Sequence, residues 1–368
     1  MFKILYPLKD CTLYSRYPEL NSGVDQILEI TKQTLGEPYQ TVFSEDNSTW
    51  ENTYNSRILL KFDTTPFTTI FAENTITSYN TYLKLFTTEA ESLPIDYTLY
   101  SYPVAEDWKN GNGNYNDDPA ITNGASWYWR SGKTQLDTWL TSSQYLHTYI
   151  TGGGSWFTSS FATQSFSNDD PTINMNVTTI VDRWLSGSIV NNGFILKHSA
   201  TAETSSDIYG SLKFFSRDTH TIYLPKLILY YNEPTYSGGF NTASLVSGDY
   251  VIHCRNLKTL YREFDDLKLR FQIRDQYPVK TYQSQSADYS SKRLPTSSYY
   301  SIVDVVTGLP FVDFNTVGTK ISSDDYGHYI RINFNNFLPE RYYKIVYKII
   351  QDGETKIIDP KHQFRISK

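Results

Sequence analysis

Trp108, Trp127, Tyr128, Trp129, Trp139 and Trp156 fall within one stretch rich in turn formers, beside amides and carboxylates. An aromatic platform in such company is a surface on which a pyranose ring stacks. Trp108, Trp127, Trp129, Trp139 and Trp156 are therefore candidate glycan-binding residues, or the anchors of an interface. The same spacing has a structural meaning. Trp127 and Trp129 are alternate residues, which share one side of a strand and so also suit a core. The sequence leaves both readings open.

Residues for covalent chemistry are present but not arranged for it. The histidines at 147, 198, 220, 253, 328 and 362 are scattered, with no His-x-x-x-His and no Cys-x-x-Cys, so no metal ligands are assigned. No Gly-x-Ser-x-Gly elbow occurs, and Gly152-Gly153-Gly154 lacks the Lys-Ser/Thr that follows a phosphate-cradling loop. The carboxylate pairs Glu106-Asp107, Asp117-Asp118 and Asp169-Asp170 are adjacent in sequence. Adjacency does not supply the facing separation of about 5–9 Å that glycoside hydrolysis needs. No catalytic residue is assigned, and the chain is expected not to be an enzyme. The oxygen-rich loops Asn116-Asp117-Asp118 and Ser167-Asn168-Asp169-Asp170 could tie a calcium ion, although no Asp-x-Asp-x-Asp-Gly ladder is present. Asx turns ahead of Pro119 and Pro171 explain the same residues, and no other cofactor is expected.

The elements that would carry these residues read as strands. Tyr, Thr, Phe and Ile are abundant, with 31 Tyr and 16% aromatic residues, which favours strands over helices. Strands are expected over 1–14, 26–32, 57–63, 81–86, 95–102, 194–198, 212–216 and 226–231. A helical turn is expected at Asn176–Leu185, where Val177, Ile180, Val181 and Trp184 recur at helical spacing. The stretch Trp108 to Gly154 reads as long loops serving a surface role. Beyond the Pro- and Gly-containing segment 232–246, strands are expected at 250–255, 268–274, 299–306, 329–334 and 342–350, with Leu260–Asp266 as a turn or helical insert. Their turn punctuation suits a second, immunoglobulin-like sandwich.

Three segments form a recognisable set: Ser56-Arg57-Ile58-Leu59-Leu60-Lys61-Phe62-Asp63, Thr179-Ile180-Val181-Asp182-Arg183-Trp184, and Phe214-Phe215-Ser216-Arg217-Asp218 leading into Leu224–Tyr231. Their order and spacing over about residues 8–232 resemble the DNRLRE-type β-sandwich, a jelly-roll relative of carbohydrate-binding modules. The literal namesake string is absent, so no ligand residue is carried over. Arg57, Asp63, Trp184 and Arg217 fall in these segments and are taken as framework residues; the two arginines, each within a Ser-Arg pair, suit either a ligand contact or a partly buried ion pair with a carboxylate such as Asp63, Asp182 or Asp218. Later segments, including Arg274–Pro278, Ser298–Asp304 and Pro339–Lys344, resemble structural proteins of tailed bacteriophages, which implies a virion component.

The fold class expected is all-β: a jelly-roll-like β-sandwich at 1–235, a linker at 236–246 and an immunoglobulin-like β-sandwich at 247–368. Charge supports the division. Residues 1–244 hold 15 basic and 25 acidic side chains (−10), while 245–368 hold 18 and 14 (+4). Opposite ends would then face different partners, copies would meet end to end, or the split reflects two domains of unrelated origin. The acidic first part disfavours nucleic acid, and no stretch approaches the ~20 apolar residues of a membrane span. Cys11 and Cys254 are expected as buried thiols, and no signal peptide is read at the N-terminus. The expected function is a non-enzymatic virion structural protein. It would be assembled in the host cytoplasm, decorate the capsid or belong to the neck or tail, and bind other virion subunits or copies of itself. The alternative is a carbohydrate-binding adhesion module directed at a cell-surface glycan.

Overall fold

The structure is a computed structural model that describes residues 1–34, 53–133, 137–140, 144–145, 148–149, 152–167, 170–232, 249–277, 292–324, 326–335 and 337–368. The expected linker at 236–246 and His147 lie outside the described residues. Contacts divide the chain into two compact units. One comprises Ile4–Ile70 and Thr81–Ile228, and the other Met1–Lys3, Phe71–Asn80 and Leu229–Lys368.

The first strands are β1 (Phe2–Leu5), β2 (Pro7–Tyr14), β3 (Ile27–Thr34), β4 (Thr53–Phe62), β5 (Tyr79–Leu85), β6 (Thr87–Glu91) and β7 (Asp96–Pro103). After a two-strand hairpin, β8 (Gln144–Tyr145) and β9 (Thr148–Tyr149), come β10 (Ala162–Ser167), β11 (Ile173–Asn176), β12 (Phe194–His198), β13 (Gly210–Phe215) and β14 (Lys226–Tyr231). Among the described residues three helices interrupt them: α1 (Thr65–Glu73), α2 (Thr178–Leu185) and α3 (Ala200–Thr204). Two sheets make a jelly-roll-like sandwich. One runs β10–β7–β12–β4–β3–β13–β6 with β2 also paired to β4, and the other runs β1–β14–β5–β11. Helix α2 forms where its apolar spacing predicts, burying Ile180, Val181 and Trp184.

Strand β4 shows how the sequence builds the layers. Ile58, Leu60 and Phe62 alternate onto one side and are fully buried. Phe62 packs on Phe194 of β12 at 6.1 Å. Leu59, on the opposite side, is equally buried. An antiparallel sheet usually leaves one side to water, but here that side carries a third layer. Leu59 pairs across the ladder with Cys11 and Ile195, and these side chains, with Leu13, are covered by Val104, Trp108, Ala125 and Trp139. The described parts of the segment after β7 therefore include a packed cover on the sheet, where surface loops were expected.

The smaller unit contains β15 (Tyr250–Cys254), β16 (Leu260–Arg262), β17 (Asp266–Asp275), β18 (Ser298–Asp304), β19 (Pro310–Val312), β20 (Ser322–Asp324), β21 (Gly327–Asn333), β22 (Tyr342–Gln351) and β23 (Glu354–Ser367). One sheet runs β15–β17–β21–β20 and the other β16–β23–β22–β18–β19. In chain order this is the ABED and CFG arrangement of an immunoglobulin-like sandwich, extended by β16 and β19. Tyr343, near the start of β22, supplies the corner that such folds use. Its hydroxyl accepts from the Leu338 N–H at 3.1 Å and donates to the Leu338 carbonyl at 3.3 Å.

Two expectations change here. Leu260–Asp266 is not a helical insert: Leu260–Arg262 is a short strand running parallel to β23, with Tyr261 buried against Phe334 at 4.8 Å. The closing strand β23 is the longest among the described residues at 14 residues, and no local pattern announces it. Apart from Ile357 and Ile358 its residues are polar until Phe364 and Ile366, and Pro360 breaks the pattern. What creates it is the turn before it. Asp352 and Gly353 both take positive φ, 52° and 83°, the two-residue hairpin turn that an Asp-Gly pair favours.

Candidate functional site

The cover layer is organised from a buried side chain outward. Asn21 is fully buried; its Nδ2 donates to the carbonyls of Asn110 (2.7 Å) and Ala125 (2.8 Å), and its Oδ1 accepts from the Gly113 N–H (2.9 Å). That backbone approach explains the Asn-Gly-Asn-Gly run, since a Cβ on Gly113 would lie 2.3 Å from the Asn21 carbonyl oxygen. The segment's ends are tied by Glu106, which accepts from the Leu140 N–H at 2.8 Å and from the Ser155 hydroxyl.

Three of the five candidate tryptophans are interior. Trp139 is 0% exposed, and Trp108 and Trp129 are each 2% exposed. The Trp108 indole N–H donates to the Asn192 carbonyl and that of Trp139 to the Ser126 carbonyl, both at 2.9 Å. Having no open ring face, they are not glycan-stacking residues; they are the core of the cover. Trp127 and Trp156 lie half-buried at its margin.

These two rings meet a buried charge cluster. The Arg57 guanidinium lies 4.6 Å from the Trp127 ring and 5.0 Å from Trp156. It forms a two-pronged pair with Glu203 of α3, Nε to Oε1 at 2.9 Å and Nη2 to Oε2 at 2.8 Å, and its Nη1 donates to the Gly153 carbonyl at 2.7 Å. Gly153 accommodates this at φ +83°, where a Cβ would collide with Arg57. Lys197 of β12 shares the same carboxylate at 2.5 Å and lies 4.8 Å from Trp156. Burial, followed by the neighbouring Arg57 charge, lowers the Lys197 pKa, and the Glu203 contact opposes the shift. Lys32 closes the cluster by donating to the Ala202 (2.7 Å) and Glu203 (2.9 Å) carbonyls at the end of α3. The adjacent His198 is 2% exposed and held down to about 4, first by burial, so it stays neutral at ordinary pH.

This arrangement corrects the partner expected for Arg57. It is Glu203, a residue that sequence reading did not single out. Asp63 instead starts helix α1, its Oδ1 accepting from the Thr65 N–H at 3.0 Å. Arg217 does meet Asp218, at 3.4 Å, and its backbone N–H donates to Asp10. Trp184 packs on Phe194 at 4.6 Å as a framework residue. Glu203 was illegible because nothing in sequence spacing relates it to Arg57; only the hydroxyl cap at Ser199, accepting from Ala202, hints at a helix there.

Asp10 is a second buried group, 1% exposed, with Oδ2 accepting from the Arg217 N–H at 2.7 Å. Burial pushes its pKa up to about 7, against the pull of that N–H. The native state therefore binds a proton that the unfolded chain releases near pH 4. The associated stability is full at low pH and is lost as pH rises toward 7. Asp10→Asn is expected to be increasingly stabilising across that window, by a few kcal/mol at pH 8 and little at pH 4. Urea unfolding at the two pH values checks it.

Asn168 and Asp169 of the second acidic loop lie outside the described residues, and two carboxylates of the loops serve local turns. Asp117 accepts from the Asn114 N–H (2.7 Å) and Asp170 from the Thr172 N–H (2.9 Å). Among the described residues no group of three or more His, Cys, Asp or Glu side chains is placed to hold a metal ion. Both cysteines are free thiols; Cys254 lies 3.1 Å from His362 Nδ1. No helix among the described residues is long and apolar enough to cross a membrane.

No family model matches the sequence, and no curated protein matches it, so the DNRLRE-type resemblance rests on the segments quoted. Among solved structures, two of the β-glucuronidase of Parabacteroides merdae align at 10% and 8% identity over 80% and 96% of this chain, with TM-scores of 0.18 and 0.17. The chain spans only 28% and 36% of their length. The tripod from the baseplate of bacteriophage Tuc2009 aligns at 10% identity over 100% of this chain and 97% of its own, with a TM-score of 0.15. Likeness at this level carries no functional argument.

Proposed function

We propose that this chain is a non-enzymatic structural protein of a phage virion that attaches to neighbouring subunits through its immunoglobulin-like unit. The carrying observation is an exposed stripe across the β16–β23–β22–β18–β19 sheet. Leu260, Arg365 and Tyr342 stand opposite one another across the ladder, and the Arg365 guanidinium lies 5.6 Å from the Tyr342 ring. Val305, whose N–H donates to the Tyr342 carbonyl, continues the stripe toward Val306 and Leu309. Leu260 is 51% exposed, Tyr342 49% and Val306 75%. Tyrosine and arginine amid aliphatic side chains are the composition of binding hot spots. The surplus of positive charge over 245–368 favours an acidic partner surface, and the resemblance of these segments to tailed-phage proteins favours a virion subunit.

Co-sedimentation of the purified chain with phage particles or their isolated subunits tests this. The wild type is expected to co-sediment. Tyr342→Ala combined with Val306→Asp should weaken binding at least about tenfold, with no change in thermal midpoint. A wild type that binds neither particle nor subunit, or a double variant that binds unchanged, would sink the proposal.

A further inference from the structure

At the margin of the cover, one side of the jelly-roll sheet carries a chain of aromatic rings in mutual contact. Tyr100 and Tyr102 alternate on β7, 6.0 Å apart and within 10° of parallel. Phe161, just before β10, contacts Tyr100 at 6.0 Å and Tyr102 at 5.9 Å, and Trp156 meets Tyr102 at 6.1 Å. Strand β10 is the edge of its sheet, so the ledge lies at a border. Phe161 is 52% exposed and the other three rings are half-buried. Hydroxyls continue the same side. Thr163 stands opposite Tyr100, and Ser165 opposite Thr98, with their oxygens 2.9 Å apart.

From this juxtaposition we infer that the ledge Tyr100–Tyr102–Trp156–Phe161 binds a neutral oligosaccharide, two or three pyranose rings lying on the aromatic faces beside the hydroxyl row. Each ring buries about 150–250 Å² when fully covered, so four partly exposed rings offer on the order of 300 Å². That is well below the ~800 Å² per partner of a stable protein interface and suits a short saccharide. The nearby charges do not call for an anion: Lys197 and Arg57 are both turned onto Glu203 beneath the rings. The inference is independent of docking through the other unit, and it moves the expected sugar contact from buried tryptophans to surface rings.

Ligand-observed NMR with the intact chain and neutral trisaccharides of gluco, galacto, manno and xylo configuration is the test. At least one should bind, and Phe161→Ala and Tyr100→Ala should each weaken it about tenfold or more. Should Tyr100→Ala unfold, Phe161→Ser on the more exposed ring serves alone. Val306→Asp, on the other unit, should leave sugar binding intact. Absence of binding by the wild type, unchanged binding by the ring variants, or binding confined to anionic glycans would overturn the inference. So would self-association of the chain that the ring substitutions abolish.

Discussion

Glu203→Ala is expected to destabilise the jelly-roll-like unit by about 3–5 kcal/mol, because it strands two buried cations at once. Arg57 loses both prongs of its carboxylate partner, and Lys197 loses its 2.5 Å contact. Arg57 is 8% exposed and Lys197 2%, so water cannot replace what is removed. Arg57 also holds the Gly153 carbonyl, so the break should loosen the cover at Gly152–Trp156. A companion variant separates the charge defect from simple loss of packing. Arg57→Met and Lys197→Met combined with Glu203→Leu remove all three charges and should recover much of the stability, since an apolar replacement of a buried ion group is often neutral. Denaturant unfolding of the single and triple variants decides it. A single variant within about 1 kcal/mol of wild type would show that the cluster is hydrated and of little weight.

Trp139→Ala should cost a similar amount, about 3–5 kcal/mol, by opening a cavity in the cover. Trp139 is 0% exposed, packs with Leu59, Trp108 and Ile195, and spends its indole N–H on Ser126. The expected readout is a lower unfolding midpoint, with early hydrogen exchange between residues 104 and 156. If Trp139 were instead a ligand platform, its removal would spare stability and abolish binding. Phe161→Ala is predicted to do the reverse of Trp139→Ala, changing sugar binding while leaving stability alone. The pair therefore distinguishes interior from surface aromatics.

Much of the architecture was legible because it is local. The alternation in Arg57–Asp63, the helical spacing of Ile180, Val181 and Trp184, and the Asp352-Gly353 turn each state a backbone geometry within a few residues. The same locality made β23 hard to read. Its pairing comes from the hairpin turn and the neighbouring β22, while its own pattern is largely polar. The site was legible only in kind. An aromatic surplus in a loop-rich stretch is plain, but which rings face water depends on a fold-back of the chain over the outer side of β4 and β12.

By itself, then, the order of side chains determined the kinds of strands, two β-sandwich units and the absence of a short catalytic motif. Tertiary packing decided which tryptophans are core, that Arg57 meets Glu203 at a sequence separation of 146, and that Tyr100, Tyr102, Trp156 and Phe161 come together. The reason is physical: alternation tells each residue which side of its strand it occupies. Whether that side meets solvent, a second sheet or a folded-over loop is set by long-range burial, which no local pattern encodes.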